Sequence, residues 1–191
     1  MATKCISNFS MVSQRPYHNL CWAAVALSAD HFLNAASTWT LCQVVQDTPV
    51  GPGQPATTGC CNNNNLSSSA CDHLGQLLTA LEIRGLLPFK GYLSEAGPYG
   101  NPTPPGPIQI EQGWREIKNE IDNGRVICCG ITWQGGGFHF VVICNYTETA
   151  TTRTVCVQDP WFDPSPDMPY QDFLSNYLNR GGEWTEIDRI K

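Results

Sequence analysis

The chain has 191 residues, with 11 Lys plus Arg against 17 Asp plus Glu, a net charge of -6 and a pI near 5.1. That balance, with its few basic residues scattered, argues against nucleic acid and against an anionic membrane surface as partners. No apolar run approaches membrane-spanning length, and the first ten residues lack the apolar core of a signal peptide. The expectation is therefore a cytoplasmic protein, or one exported by a specialised, non-classical secretion system into a target cell.

The first element is a run of good helix formers at 21–33, beginning Cys21-Trp22-Ala23-Ala24, with Pro16 and Asn19 upstream as loop and capping residues. Its apolar residues fall on nearly every side, which predicts a central buried helix. Cys21 stands in its first turn, at the positive end of the helix dipole, the setting of a nucleophilic thiol. The alternative is a small apolar core residue.

A short second helix is expected at 40–47, followed by a loop over 47–70 rich in Pro, Gly, Asn and Ser. Four cysteines, Cys42, Cys60, Cys61 and Cys71, flank or sit in this loop. They allow disulfides pinning the loop, a zinc site that also uses His73, or free thiols; closure of a long loop favours disulfides. Absence of an export signal favours reduced thiols, a conflict that release by a specialised secretion machine resolves. Cys128, Cys129, Cys144 and Cys156 lie in apolar strand patterns and read as small buried hydrophobes.

Leu74, Leu77, Leu78 and Leu81 predict a helix over 72–84 that buries all four, closed by Gly85. The Pro- and Gly-rich stretch 97–107 reads as a linker, so the domain divides into a helical lobe at 1–96 and a β lobe at 108–191. A further helix is expected at 110–123, with Trp114, Ile117 and Ile121 inward and Gly124 as its stop.

Strands follow at 125–133, 138–146 and 153–158, then a short helix at 170–179 and a last strand at 183–189. Helices followed by strands signal an α+β fold, a helical lobe on an antiparallel sheet lobe with the site in the cleft between them. The second strand enters through Gly135-Gly136-Gly137 and carries His139, an imidazole that costs desolvation unless it is paired. The third delivers Asp159, where a carboxylate reaches the far nitrogen of a base on the neighbouring strand. Taken singly, His139 also reads as a satisfied structural histidine and Asp159 as a turn-initiating Asp-Pro. Taken together, Cys21, His139 and Asp159 propose a thiol nucleophile, a base and its orienter, with Asn145 and Asp163 as other candidate orienters. Trp22, Trp133, Gly136, Gly137 and Trp161 are expected to line the substrate cleft.

The Cys-Trp-Ala-Ala helix start, the Gly-Gly-Phe-His-Phe-Val-Val-Ile strand and the Val-Gln-Asp-Pro-Trp strand end resemble a bacterial branch of the papain-like cysteine peptidases, close to plant-pathogen avirulence effector peptidases. The resemblance runs from about Gln14 to the C-terminus. It implies a papain-like fold and a cysteine endopeptidase of protein or peptide substrates that needs neither metal nor other cofactor. Cys21 is then the nucleophile, His139 the general base and acid, and Asp159 its orienter, with Trp161 shielding the His139–Asp159 hydrogen bond. The family places a glutamine six residues before the nucleophile as oxyanion donor; here Arg15 stands at that position and Gln14 one residue earlier. Gln14 is the candidate donor, with His18 or Asn19 as substitutes. The same residues also suit acyl transfer or deamidation, and the displaced glutamine suits an inactive binding module on the same scaffold.

Overall fold

Residues Cys21–Leu33 form α1 at the predicted bounds, and every residue from 21 to 30 is buried. The computed structural model describes residues 1–49, 57–62, 65–66, 69–87, 107–162 and 167–191. The polar side chains of this buried stretch of α1 must be satisfied internally. Ser28 Oγ donates to the Ala24 carbonyl (2.7 Å) and accepts from the Val12 N–H (2.8 Å). Asp30 accepts from Ser37 and pairs with the Arg84 guanidinium at 3.2 Å. Leu20 is the N-cap and contributes no side-chain bond, so the expected capping by Asn19 does not occur. The Asn19 amide donates instead to the carbonyl of Asp72 (2.9 Å).

Helix α2, Leu41–Asp47, starts where the Thr40 N–H donates to Gln43 Oε1 (2.9 Å). The described part of the following loop contains a two-residue hairpin, β2 (Cys61–Asn62) with β3 (Asn65–Leu66), and one 3-10 turn at Ser69–Cys71. Two disulfides tie it down. Cys42 joins Cys61 and Cys60 joins Cys71, with Cα separations of 5.2 and 5.7 Å. All four sulfurs are thereby used, which leaves none for the zinc alternative.

Helix α3 covers only Leu77–Ile83. Leu77 and Leu81 are buried and Leu78 packs on the core, but Leu74 is 70% exposed, a correction to the expected four-leucine face. The helix cannot extend back to residue 72 because the preceding segment is used otherwise. Asp72 is turned to residues 18 and 19, and Gly75 lies so close to the Trp22 ring that no Cβ fits there. Gly85 ends the helix at φ +65°, a conformation glycine adopts without a Cβ penalty.

Helix α4, Pro107–Asp122, starts earlier than expected, and the linker predicted at 97–107 otherwise falls outside the described residues. Trp114, Ile117 and Ile121 are buried, as their spacing predicts. The chain then forms β4 (Ile127–Trp133), β5 (Phe138–Glu148), β6 (Arg153–Gln158), β7 (Asp167–Pro169), α5 (Tyr170–Ser175) and β8 (Gly182–Arg189). The predicted helix at 170–179 is thus a turn and a half, and β7 is unanticipated.

The sheet is antiparallel in the order β7-β6-β5-β4-β8, so the fold is α+β. A strand the sequence does not reveal, β1 (Ala2–Cys5), pairs with Asn145–Glu148 and extends the edge of β5 that β4 leaves free. Helix α1 packs on both α3 and β5, which brings its N-terminus to the sheet. Among the described residues, no helix is long and apolar enough to cross a membrane.

Gly75→Ala is expected to destabilise the protein by about 1–3 kcal/mol, because the added methyl must displace the buried Trp22 ring. Gly135→Ala meets nothing within 4 Å and is expected to stay within about 0.5 kcal/mol of the parent. Urea unfolding of the two variants measures the contrast.

Candidate active site

A tight turn between β4 and β5 sets the position of His139. The Trp133 N–H donates to the Gly137 carbonyl (3.1 Å) and the Gly136 N–H to the Trp133 carbonyl (2.9 Å). Gly136 and Gly137 take φ +88° and +101°, which side chains with a Cβ rarely adopt. His139 follows as the second residue of β5, opposite Ile131.

Strand β6 sets the partner. Val142 lies opposite Gln158, so Asp159 leaves the strand beside Val141, one diagonal step from His139 and on the same face. His139 Nε2–H donates to Asp159 Oδ1 at 2.9 Å. The same oxygen accepts the Trp161 N–H (2.7 Å) and the Phe162 N–H (3.2 Å), and Oδ2 accepts the Tyr177 hydroxyl at 2.7 Å. With Nε2 committed, Nδ1 is the nitrogen left to a thiol, and Cys21 is close enough to the imidazole to favour its charged form.

Burial of the His139 ring alone would lower its pKa. The Asp159 hydrogen bond, the Cys21 hydrogen bond and the charges of both groups outweigh it and lift the value from 6.5 to about 9. Burial of Asp159 alone would raise its pKa, but the His139 bond and charge, the Trp161 N–H and the Tyr177 hydroxyl hold it below the usual carboxylate value. Burial and the neighbouring Asp159 push the Tyr177 phenol well above its usual value, so it remains a donor. The arrangement is a partly shielded imidazolium between a thiol and a fully donated carboxylate.

The structure thus brings Cys21, His139 and Asp159 together and adds Tyr177, which no local motif announces. Trp133 stacks on the His139 ring (centroids 6.3 Å apart) and also touches Tyr177 (6.1 Å), and the exposed Gly136 and Gly137 lie beside it in the turn. Trp161 contributes its main-chain N–H to Asp159, while its ring lies against His18 (5.0 Å) and under the Arg15 guanidinium (5.6 Å). The ring that covers His139 is therefore Trp133.

Two expectations need correction. Trp22 does not line a cleft: it is 1% exposed, donates Nε1–H to the His73 carbonyl (3.1 Å) and packs on Gly75, because the residue after Cys21 points into the core. Gln14 does not hold its amide hydrogens free for an oxyanion. Nε2 donates to the carbonyls of Tyr17 (2.9 Å) and His18 (3.2 Å), bracing the turn before α1. The Asn19 side chain is likewise committed to Asp72. Asn145 is remote from His139, being paired with Cys5 and Cys156 farther along β5, and Asp163 lies outside the described residues.

No family model matches the chain, and no curated protein matches it significantly.

Folding raises the His139 pKa, so the protonated ring contributes about 3 kcal/mol of stability below pH 6.5, lost as the pH rises through about 9. NMR titration is expected to find His139 near 9, with lower values in Cys21→Ala and Asp159→Asn, since each removes a group that favours the imidazolium. Tyr177→Phe deletes a donor to a buried carboxylate and is expected to cost about 1.5–3 kcal/mol in urea unfolding.

Proposed function

We propose that the protein is a papain-like cysteine endopeptidase. The single observation that carries this reading is the His139–Asp159 hydrogen bond with Cys21 near enough to the same imidazole to favour its charged form, three groups drawn from a helix start and two adjacent strands. The order of the three residues along the chain and the α+β layout support the same reading.

In the proposed reaction, the Cys21 thiolate attacks the carbonyl carbon of the scissile peptide bond, and a tetrahedral oxyanion forms. The main-chain N–H of Cys21, in the first turn of α1 where no intrahelical acceptor exists, is available to donate to that oxygen. The His139 imidazolium gives its Nδ1 proton to the leaving amine as the C–N bond breaks, which leaves a thioester on Cys21 and a neutral imidazole. Water then attacks the thioester while His139 takes a proton from it. Collapse of the second intermediate releases the carboxylic acid and restores the thiolate–imidazolium pair. Asp159 holds the ring by Nε2 throughout, and Tyr177 and the Trp161 N–H hold Asp159.

The two disulfides suit work outside a reducing cytosol, which supports export into an oxidising compartment. The commitment of the Gln14 hydrogens favours a second reading, a papain-like binding module that does not turn over. Labelling with iodoacetamide separates the two, because a peptidase has one cysteine that reacts far faster than the others at neutral pH and a binding module has none. An amine or water as acceptor is told apart by the product mass, which differs for crosslinking, deamidation and cleavage.

Cys21→Ala and His139→Ala are each expected to lower kcat/KM on a denatured protein substrate on the order of 10³-fold or more. Undiminished activity in Cys21→Ala sinks the proposal. In the parent enzyme kcat/KM is expected to fall on the alkaline side with an apparent pKa of about 9, as His139 loses the proton it must donate.

A further inference from the structure

Among the described residues, five of the ten lysines and arginines are neutralised where they stand. Arg84 pairs with Asp30, Arg125 with Glu120, Arg153 with Glu111 and Glu148, Arg189 with Glu116, and Lys118 with Glu148. Arg15 is an exception, exposed and without a carboxylate partner among the described residues, and it stands beside the candidate site. Its place is built rather than incidental. The Gln14 N–H donates to the Pro160 carbonyl (2.9 Å), Ser13 Oγ donates to the same carbonyl (3.4 Å), and the Arg15 N–H donates to Ser13 Oγ (3.1 Å). These bonds lay residues 13–15 along the Asp159 turn and put the guanidinium 5.6 Å from the centre of the Trp161 ring.

A guanidinium lying on an aromatic face keeps its edge N–H groups free, and those groups match the two oxygens of a carboxylate. The ring beneath restricts the arginine rotamers, which reduces the entropy lost when an anion is bound. The next residue of the turn repeats the motif, with the Arg180 guanidinium 5.5 Å from the Phe162 ring and no ion pair among the described residues. Trp161 and Phe162 both donate their N–H groups to Asp159, so this positive edge is rigidly coupled to the carboxylate that orients His139.

The geometry points to a carboxylate-binding subsite at Arg15 and Trp161 that selects peptide substrates bearing an acidic side chain close to the scissile bond. This rests on the peptidase reading above. Arg15 acts here on the substrate side chain and takes no part in the bond-breaking steps.

The test uses the full chain and C-terminally amidated, internally quenched peptides in matched pairs, with Glu or its isostere Gln at each position flanking the cleaved bond. At one position the Glu peptide is expected to show a kcat/KM about three- to ten-fold above its Gln counterpart, the size of a partly screened charge pair. The ratio is expected to approach one in Arg15→Gln and in about 0.5 M salt. It is expected to persist in Arg115→Gln, which alters an exposed arginine on α4. Cleavage of the peptides by the parent enzyme with a ratio of one at every position overturns the subsite and leaves the peptidase reading standing. An equal loss for Glu and Gln peptides in Arg15→Gln places the guanidinium at the reacting carbonyl instead and also overturns it. Failure of the parent enzyme to cleave any peptide overturns the peptidase reading, and the subsite with it.

Discussion

The structure around the candidate site depends on one buried carboxylate. Asp159 is 4% exposed, and a charge so placed is tolerated only when its lone pairs are filled. Among the described residues four donors serve them, and they come from separate parts of the chain: β5 through His139, the turn itself through the N–H groups of Trp161 and Phe162, and the segment between α5 and β8 through Tyr177. No one of these segments can move without leaving a buried charge short of a partner. The carboxylate therefore couples the orientation of the His139 ring to the packing of the whole end of the sheet.

On the other side of the imidazole, the position of the thiol depends on what precedes α1. The Asp72 carboxylate accepts the main-chain N–H groups of His18 (3.0 Å) and Asn19 (2.8 Å), and the Asn19 amide returns a bond to the Asp72 carbonyl. Asp72 directly follows Cys71, which is bonded to Cys60. The disulfide therefore reaches beyond its own loop: it fixes the residue that holds the chain entering α1, and so the height at which Cys21 meets the sheet. Gln14 belongs to this brace, its amide spent on the carbonyls of Tyr17 and His18.

How much of this is legible in the sequence follows from where the information lies. Helix α1 can be read because it is an unbroken run of good helix formers, the inward face of α4 because its apolar residues repeat at helical spacing, and β5 and β6 because β-branched and aromatic residues cluster between turn signals. The order of the elements is enough for an α+β fold. Strand β1 cannot be read, since its four residues are all exposed and join β5 by main-chain bonds that carry no side-chain pattern. Tyr177 cannot be read because its bond to Asp159 arises only when α5 is folded onto the sheet. Trp22 illustrates the converse failure. Its neighbour in sequence is the candidate nucleophile, yet the orientation of its ring is decided by Gly75 and the His73 carbonyl, far along the chain.

The imidazole and the carboxylate also shape each other's chemistry in a way that composition alone does not disclose. Burial disfavours both charges, yet each is held in its charged form by the other, as His139 is raised to about 9 and Asp159 is lowered. Such a pair is stable only while both members remain, and the phenol of Tyr177 stabilises the carboxylate without supplying a competing charge, because its own proton is held tightly. Replacing that phenol by a cationic donor would neutralise Asp159 from behind and weaken its hold on the imidazolium. A neutral, non-titrating donor leaves the full carboxylate charge facing His139, which is what keeps a proton on the ring at neutral pH.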